Sequence, residues 1–268
     1  MARESTTLWV SVSVAFIVIA GLWYYSTQLE PDQPTLRPEQ QRQAPAAEPA
    51  APSGPLFPMS EPVERPDLRP LPALDDSDEF LRLELSDLYG QEFAALLAES
   101  RVIERIVATV DNLPRRHVAE RMRPVAALSD PFVAEQAGNE DEYILSDEGF
   151  HRYDALIDML SSVDTGSIVS IYRRYYPLFQ DAYAELGYPD GYFNDRLVEV
   201  IDHLLAAPRR EGPIYLRRTH VLYEFANPDL EELSSGRKLL LRMGPENADA
   251  VKARLAELRA AISGETER

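Results

Sequence analysis

Cysteine is absent from this 268-residue chain, lysine occurs only as Lys238 and Lys252, and tryptophan only as Trp9 and Trp23. Without cysteine there are no disulfides, thiolate metal sites, thiol nucleophiles or redox pairs. The absence fits an exported domain that needs no disulfides, and it fits a cytosolic one equally well. Recognisable catalytic signatures are missing too: no G-x-S-x-G elbow, H-E-x-x-H pair or EF-hand loop occurs. The stretch GRKLLLRMGPEN, residues 236–247, resembles a phosphate loop only at first sight, because it lacks the G-x-x-x-x-G-K-[ST] spacing. Carboxylate pairs such as Asp75/Asp76 and Glu231/Glu232 are ordinary in an acidic chain and indicate no acid–base mechanism. No catalytic residue is therefore assigned, and neither a metal nor a cofactor is expected.

Positive charge is the next shortage. The chain carries a formal net charge of −18, and residues 73–268 hold 22 Lys+Arg against 37 Asp+Glu. A nucleic-acid surface needs the opposite sign, so nucleic acid is excluded as an expected partner. The same sign disfavours anionic lipid head groups as a docking surface for this region.

What is present begins at the N-terminus. Leu8 to Tyr25 is uncharged and mostly apolar, with Ser11 and Ser13 its polar side chains and aromatic rings near both ends. At about 1.5 Å per residue such a helix is roughly 27 Å long, close to the hydrocarbon thickness of a bilayer. The rival reading, a cleaved signal peptide, needs a short apolar core followed by small residues. Here the run ends in Trp23, Tyr24 and Tyr25. A single transmembrane anchor over residues 8–28 is expected, after a short tail at 1–7. The Lys/Arg tally on the two flanks does not by itself set orientation. The basic groups closest to the bilayer favour the N-terminus in the cytoplasm and the body outside it.

Residues 29–72 are rich in proline and alanine and show no hydrophobic periodicity. Such a segment buries too little apolar area to offset its ordering entropy, so a disordered linker stiffened toward polyproline II is expected. Within it PLFPM, residues 55–59, is a weak candidate for a proline-binding partner.

The body, residues 73–264, reads mainly as α-helix, with a short tail at 265–268. Helices are expected from Ser77 or Asp78 to Tyr89, Gln91 to Ala98, Arg101 to Asn112, and Ser146 or Asp147 to about Val163. Another starts at Asp164 or Thr165 and contains Pro177, where a kink or break is expected. Further helices run from Tyr192 to Ala207, Asn227 to Met243 and Glu246 to Ile262. Short β-like runs at 132–136 with 142–145, and at 213–217 with 220–225, predict two small hairpins. The expected class is a multi-helix globular domain with one or two short β-hairpins, behind a transmembrane helix and a linker.

Three strings carry a resemblance: ATVDNLPRRHVAERMRPV, YRRYYPLFQDAYAELGYPDGYFNDRLVEVIDHLLAAP and LSSGRKLLLRMGPENADAVKARLAELRAAI. They resemble the bacterial family known as domain of unknown function 3014, over about residues 72–262. The resemblance implies a membrane-anchored bacterial envelope protein with a mostly helical domain. It brings no established reaction and no catalytic residues.

Tyr172, Tyr176, Phe179 and Tyr183 recur at i, i+4, i+7 and i+11, with Arg173 and Arg174 beside them and Tyr188, Tyr192 and Phe193 after a turn. Such a stripe either lines a groove, where rings stack on a sugar or peptide and arginines hold a carboxylate, or it packs into the core with hydroxyls at the rim. A ligand or partner site, if the body has one, is expected here, with Tyr172, Arg173, Arg174, Tyr176, Tyr192, Asn194, Asp195 and Arg196 as its residues. Asp195, Glu199 and His203 share helical spacing that could supply metal ligands. A solvated face is the plainer reading, since no second histidine cluster is evident. The basic island Arg115-Arg116-His117 is expected to pair with the body's own carboxylates.

Three functions follow from different classes. The first is a protein-interaction or scaffolding module of the envelope, held to the lipid bilayer and facing an unidentified protein partner. The second is an envelope small-ligand receptor or hydrolase using residues 172–196. The third is a structural spacer between layers.

Overall fold

The computed structural model describes residues 54–59, 70–117, 122–126, 132–138, 141–219 and 222–264. The expected anchor and most of the expected linker lie outside these residues. Among the described residues no helix is long and apolar enough to cross a membrane.

A short 3₁₀ turn leads into α1 (Ser77–Tyr89), whose Leu81, Leu85 and Tyr89 form its buried stripe. Gly90 ends it with φ of 87°, and α2 (Gln91–Leu96) follows. Almost every side chain of α3 (Val102–Asn112) is buried, so it runs through the core. Its first amides are held from α1, where the Asp78 carboxylate accepts from Arg101 N at 2.7 Å and Val102 N at 2.8 Å. After the strands β1 (Ala134–Gln136) and β2 (Glu142–Leu145) come α4 (Asp147–His151), α5 (Asp154–Ser161), α6 (Thr165–Glu185) and α7 (Phe193–Leu205). The strands β3 (Tyr215–Thr219) and β4 (Leu222–Phe225) precede α8 (Pro228–Glu231), α9 (Ser235–Arg242) and α10 (Pro245–Ile262). Helix α3 packs on α1, α6 and α7, and α10 packs on α5, α6 and α7, which encloses the main core.

The two hairpins form as expected in place, but they are not separate. Strand β2 also pairs with β3, Tyr143 opposite Leu216, so all four strands make one antiparallel sheet in the order β1-β2-β3-β4. That pairing sets the register and moves β3 two residues beyond its expected start. The sheet covers a second, smaller cluster of Leu145, Leu216, Phe225, Leu230 and Leu241. Helix α9 joins the two cores: Leu241 faces the sheet cluster while Leu239 and Leu240 belong to the main one.

Three helix expectations need correction. The stretch 146–163 is two helices, α4 and α5, separated by a turn at Arg152 and Tyr153 that sinks the Tyr153 ring into the core. The stretch 227–243 is also two, because Ser234 restarts the helix by accepting from Arg237 N at 3.3 Å. Helix α6, in contrast, runs unbroken past Pro177. Pro177 is exposed to solvent. The flanking Tyr175, Leu178 and Phe179 are buried and tie the helix to the core on both sides of the proline, so the expected break does not occur.

Candidate functional site

The start of α7 is positioned by a side chain that the sequence pattern did not single out. Gln180, on α6, donates to Gly191 O at 2.7 Å and accepts from Phe193 N at 2.9 Å. Tyr176 OH donates to the same Gln180 oxygen at 3.2 Å. These bonds lock the Gly191–Phe193 turn against α6 and so aim the first residues of α7. The signal available in the sequence was only the i, i+4 spacing of Tyr176 and Gln180.

Asn194, the second residue of α7, is 0% exposed. Its amide nitrogen donates to Ile262 O at the end of α10 (3.1 Å) and to Phe57 O (2.8 Å). Its oxygen accepts from Tyr172 OH at 3.2 Å. Burial pushes the Tyr172 hydroxyl well above its ordinary pKa, so it remains a proton donor. One carboxamide thus ties α6, α7, α10 and the segment containing Phe57 together. Beside it, Asp195 accepts from Leu56 N at 2.9 Å through one carboxylate oxygen and from Phe57 N at 2.8 Å through the other. It lies in the first turn of α7, where the helix dipole favours a negative charge.

The segment so held is Gly54–Met59, from within the stretch expected to be linker. Pro55, Phe57 and Met59 are half-buried, whereas Gly54, Leu56 and Pro58 are exposed. The chain bends at Leu56 and Phe57, and the bend turns both of their amides toward one carboxylate. Phe57 and Met59 pack on the main hydrophobic cluster, while Leu56 is 78% exposed. Asn194 and Asp195 therefore form a clamp that reads two successive amides and one carbonyl of a bent backbone.

The other expected site residues have separate roles. Tyr172, Phe179 and Tyr183 are buried, and their rings meet one another and Phe193 in edge and stacked contacts. Tyr176 remains half-buried at the rim, and Tyr192 caps the start of α7 without a side-chain bond to it. Arg173 donates to Ala261 O at 3.2 Å. Arg174 pairs with Glu84 of α1. Arg196 reaches α3, meeting the buried Asp111 carboxylate at 2.9 Å, and also pairs with Glu199 at 2.8 Å. Asp111 further receives Arg115 at 2.6 Å, and Arg116 meets Glu232 at 3.2 Å, so both arginines of the basic island pair with acids of the body. A cavity of about 350 Å³ lies near that island, bordered by His117, Arg217, Glu231 and Lys238, away from the aromatic stripe.

The spacing of Asp195, Glu199 and His203 does not bring them to one point: each has a different partner. No group of three or more metal-ligating side chains occurs among the described residues. His203 Nε2 lies 2.8 Å from Ser234 Oγ, the cap of α9. Burial, then the charges of Arg237 and Arg196, lowers its pKa from 6.5. A histidine with a lowered folded pKa stabilises the fold fully above its unfolded pKa, about 6.5, and progressively less as pH falls below it. The expected outcome is a urea midpoint that drops more between about pH 7.5 and 5.5 in the wild type than in His203→Gln. Equal drops would remove His203 as a source of the acid sensitivity.

The geometry is that of a helical domain with a main-chain clamp on its surface. Residues 102–259 match the family described as "Protein of unknown function (DUF3014)", and the chain belongs to that family. No curated protein and no solved structure matches the chain.

Proposed function

We propose that this is a single-pass envelope protein whose helical domain is a protein-interaction module gripping a bent main-chain segment at the start of α7. In this proposal residues 8–28 anchor it in the inner membrane, with the N-terminus in the cytoplasm and the domain in the periplasm. The bilayer-length apolar run and its bulky aromatic end, in place of the small residues of a cleavage site, support the anchor. The observation that carries the interaction module is the Asn194–Asp195 clamp with the main chain of Leu56 and Phe57 already in it. A clamp that bonds main-chain amides and a carbonyl suits a peptide better than a small molecule. The small-ligand or hydrolase alternative has less support, because the stripe's rings turn inward and Arg173, Arg174 and Arg196 are engaged within the domain.

One experiment tests both halves. A photo-cross-linking residue at Tyr192 is introduced into the full chain in living cells, which are then lysed without detergent. The expected result is a membrane-bound chain carrying a discrete intermolecular adduct that Asp195→Asn weakens. Recovery of intact chain in the soluble fraction would overturn the anchor. An adduct absent, or indifferent to Asp195, would overturn the interaction module.

A further inference from the structure

We propose that the clamp recognises, in another protein, a bent segment of the form proline, any residue except proline, aromatic, proline, apolar, and that residues 55–59 occupy it in cis as the competitor of that segment. This deepens the interaction-module proposal and rests on it.

The occupant itself defines the chemistry. Asp195 needs an amide hydrogen from each of two successive residues, and Asn194 needs the carbonyl of the second. Proline has no amide hydrogen, so it is forbidden at both central positions. In Pro55-Leu56-Phe57-Pro58 the two prolines stand immediately outside those positions. Pro58 also disfavours helical backbone at Phe57, so the bend does not continue into a helical turn. The prolines thus stiffen the ligand and leave its donors free. Side-chain selectivity falls on Phe57 and Met59, which touch the hydrophobic cluster, and not on Leu56, which points to solvent. Most of the polar recognition is of main chain, so nothing in the clamp requires the ligand to come from the same molecule.

Its attachment makes the cis segment a strong competitor. Ten residues, 60–69, separate it from the described start of the body at Pro70. Attachment over so few residues raises the effective concentration of the segment at the clamp. A partner's segment therefore binds when the cis segment is released, or when further contacts add avidity.

The test uses the full chain in detergent and a labelled peptide of sequence SGPLFPMS, read by fluorescence anisotropy. Leu56→Pro in the chain removes one amide donor facing Asp195 and vacates the clamp while leaving the body untouched. The expected result is that this variant binds the peptide about tenfold more tightly than the wild-type chain, and that adding Asp195→Asn reverses the gain. A peptide carrying proline at the Leu56 position should fail, whereas one carrying alanine there should bind. Equal binding by all chains, or binding indifferent to Asp195, overturns the inference. So does a dimer of the wild-type chain in which the segment has crossed to a second copy, since the occupant is then this chain and not another protein. The in-cell adduct at Tyr192 reads the interaction module independently, so failure here leaves that result to stand or fall alone.

Discussion

Substituting alanine for Gly244 should lower the unfolding free energy by about 3 kcal/mol, from two separate costs. Gly244 sits between α9 and α10 with φ of 81° and ψ of 165°, a region essentially reserved for glycine. Forcing an alanine to remain there costs on the order of 1–3 kcal/mol. A Cβ at this position would also stand 2.6 Å from two carbons of the Phe150 ring, so the ring or the helix must shift. Overpacking of this kind adds typically about 1–3 kcal/mol. Gly90 separates the terms: its φ of 87° and ψ of 162° are nearly the same, yet nothing lies within 4 Å of its Cβ position. Gly90→Ala should therefore show the backbone cost alone. Urea unfolding followed by helical circular dichroism measures both variants. Equal losses would mean that the Phe150 contact relaxes freely.

The Asn194→Leu variant should be destabilised by about 3 kcal/mol, because it strands several groups at once. Leucine has similar bulk but no polar atoms. Tyr172 OH would lose its acceptor in the core, and the Ile262 and Phe57 carbonyls would lose their donor. A buried group left without a partner costs about 1–3 kcal/mol. Two observables should respond together: the urea midpoint falls, and the Leu56 and Phe57 amides exchange faster with solvent. Asp195→Asn provides the contrast. Its carboxylate meets only the 54–59 segment in the bonds described, so amide protection there should fall with little change in global stability. Loss of global stability of the same size in both variants would contradict this division between a core asparagine and a surface aspartate.

Much of the architecture was readable from local pattern. Helix α1 begins at Ser77 and ends at Tyr89, as its apolar spacing and Gly90 require. The caps at Ser146, Asp164 and Asn227 all accept the expected backbone amides. Each of these signals acts within one helical turn, so composition and spacing reveal it. The aromatic stripe was also visible, but its two readings differed only in which way the rings turn. Burial against α3, α7 and α10 decided that. Nothing in the spacing identified Gln180, whose role depends on a turn folding back over α6.

The order of helices, the positions of the four strands and the sign of the surface charge belong to the sequence, because short-range backbone preferences and side-chain ionisation act over a few residues. Tertiary structure alone joined the hairpins through β2 and β3 and carried Pro177 within an unbroken helix. It also brought Phe57 to Asp195 across 138 positions. Such contacts lie between segments far apart in the chain, so they form only when the surrounding core fixes both partners, and no local pattern records them.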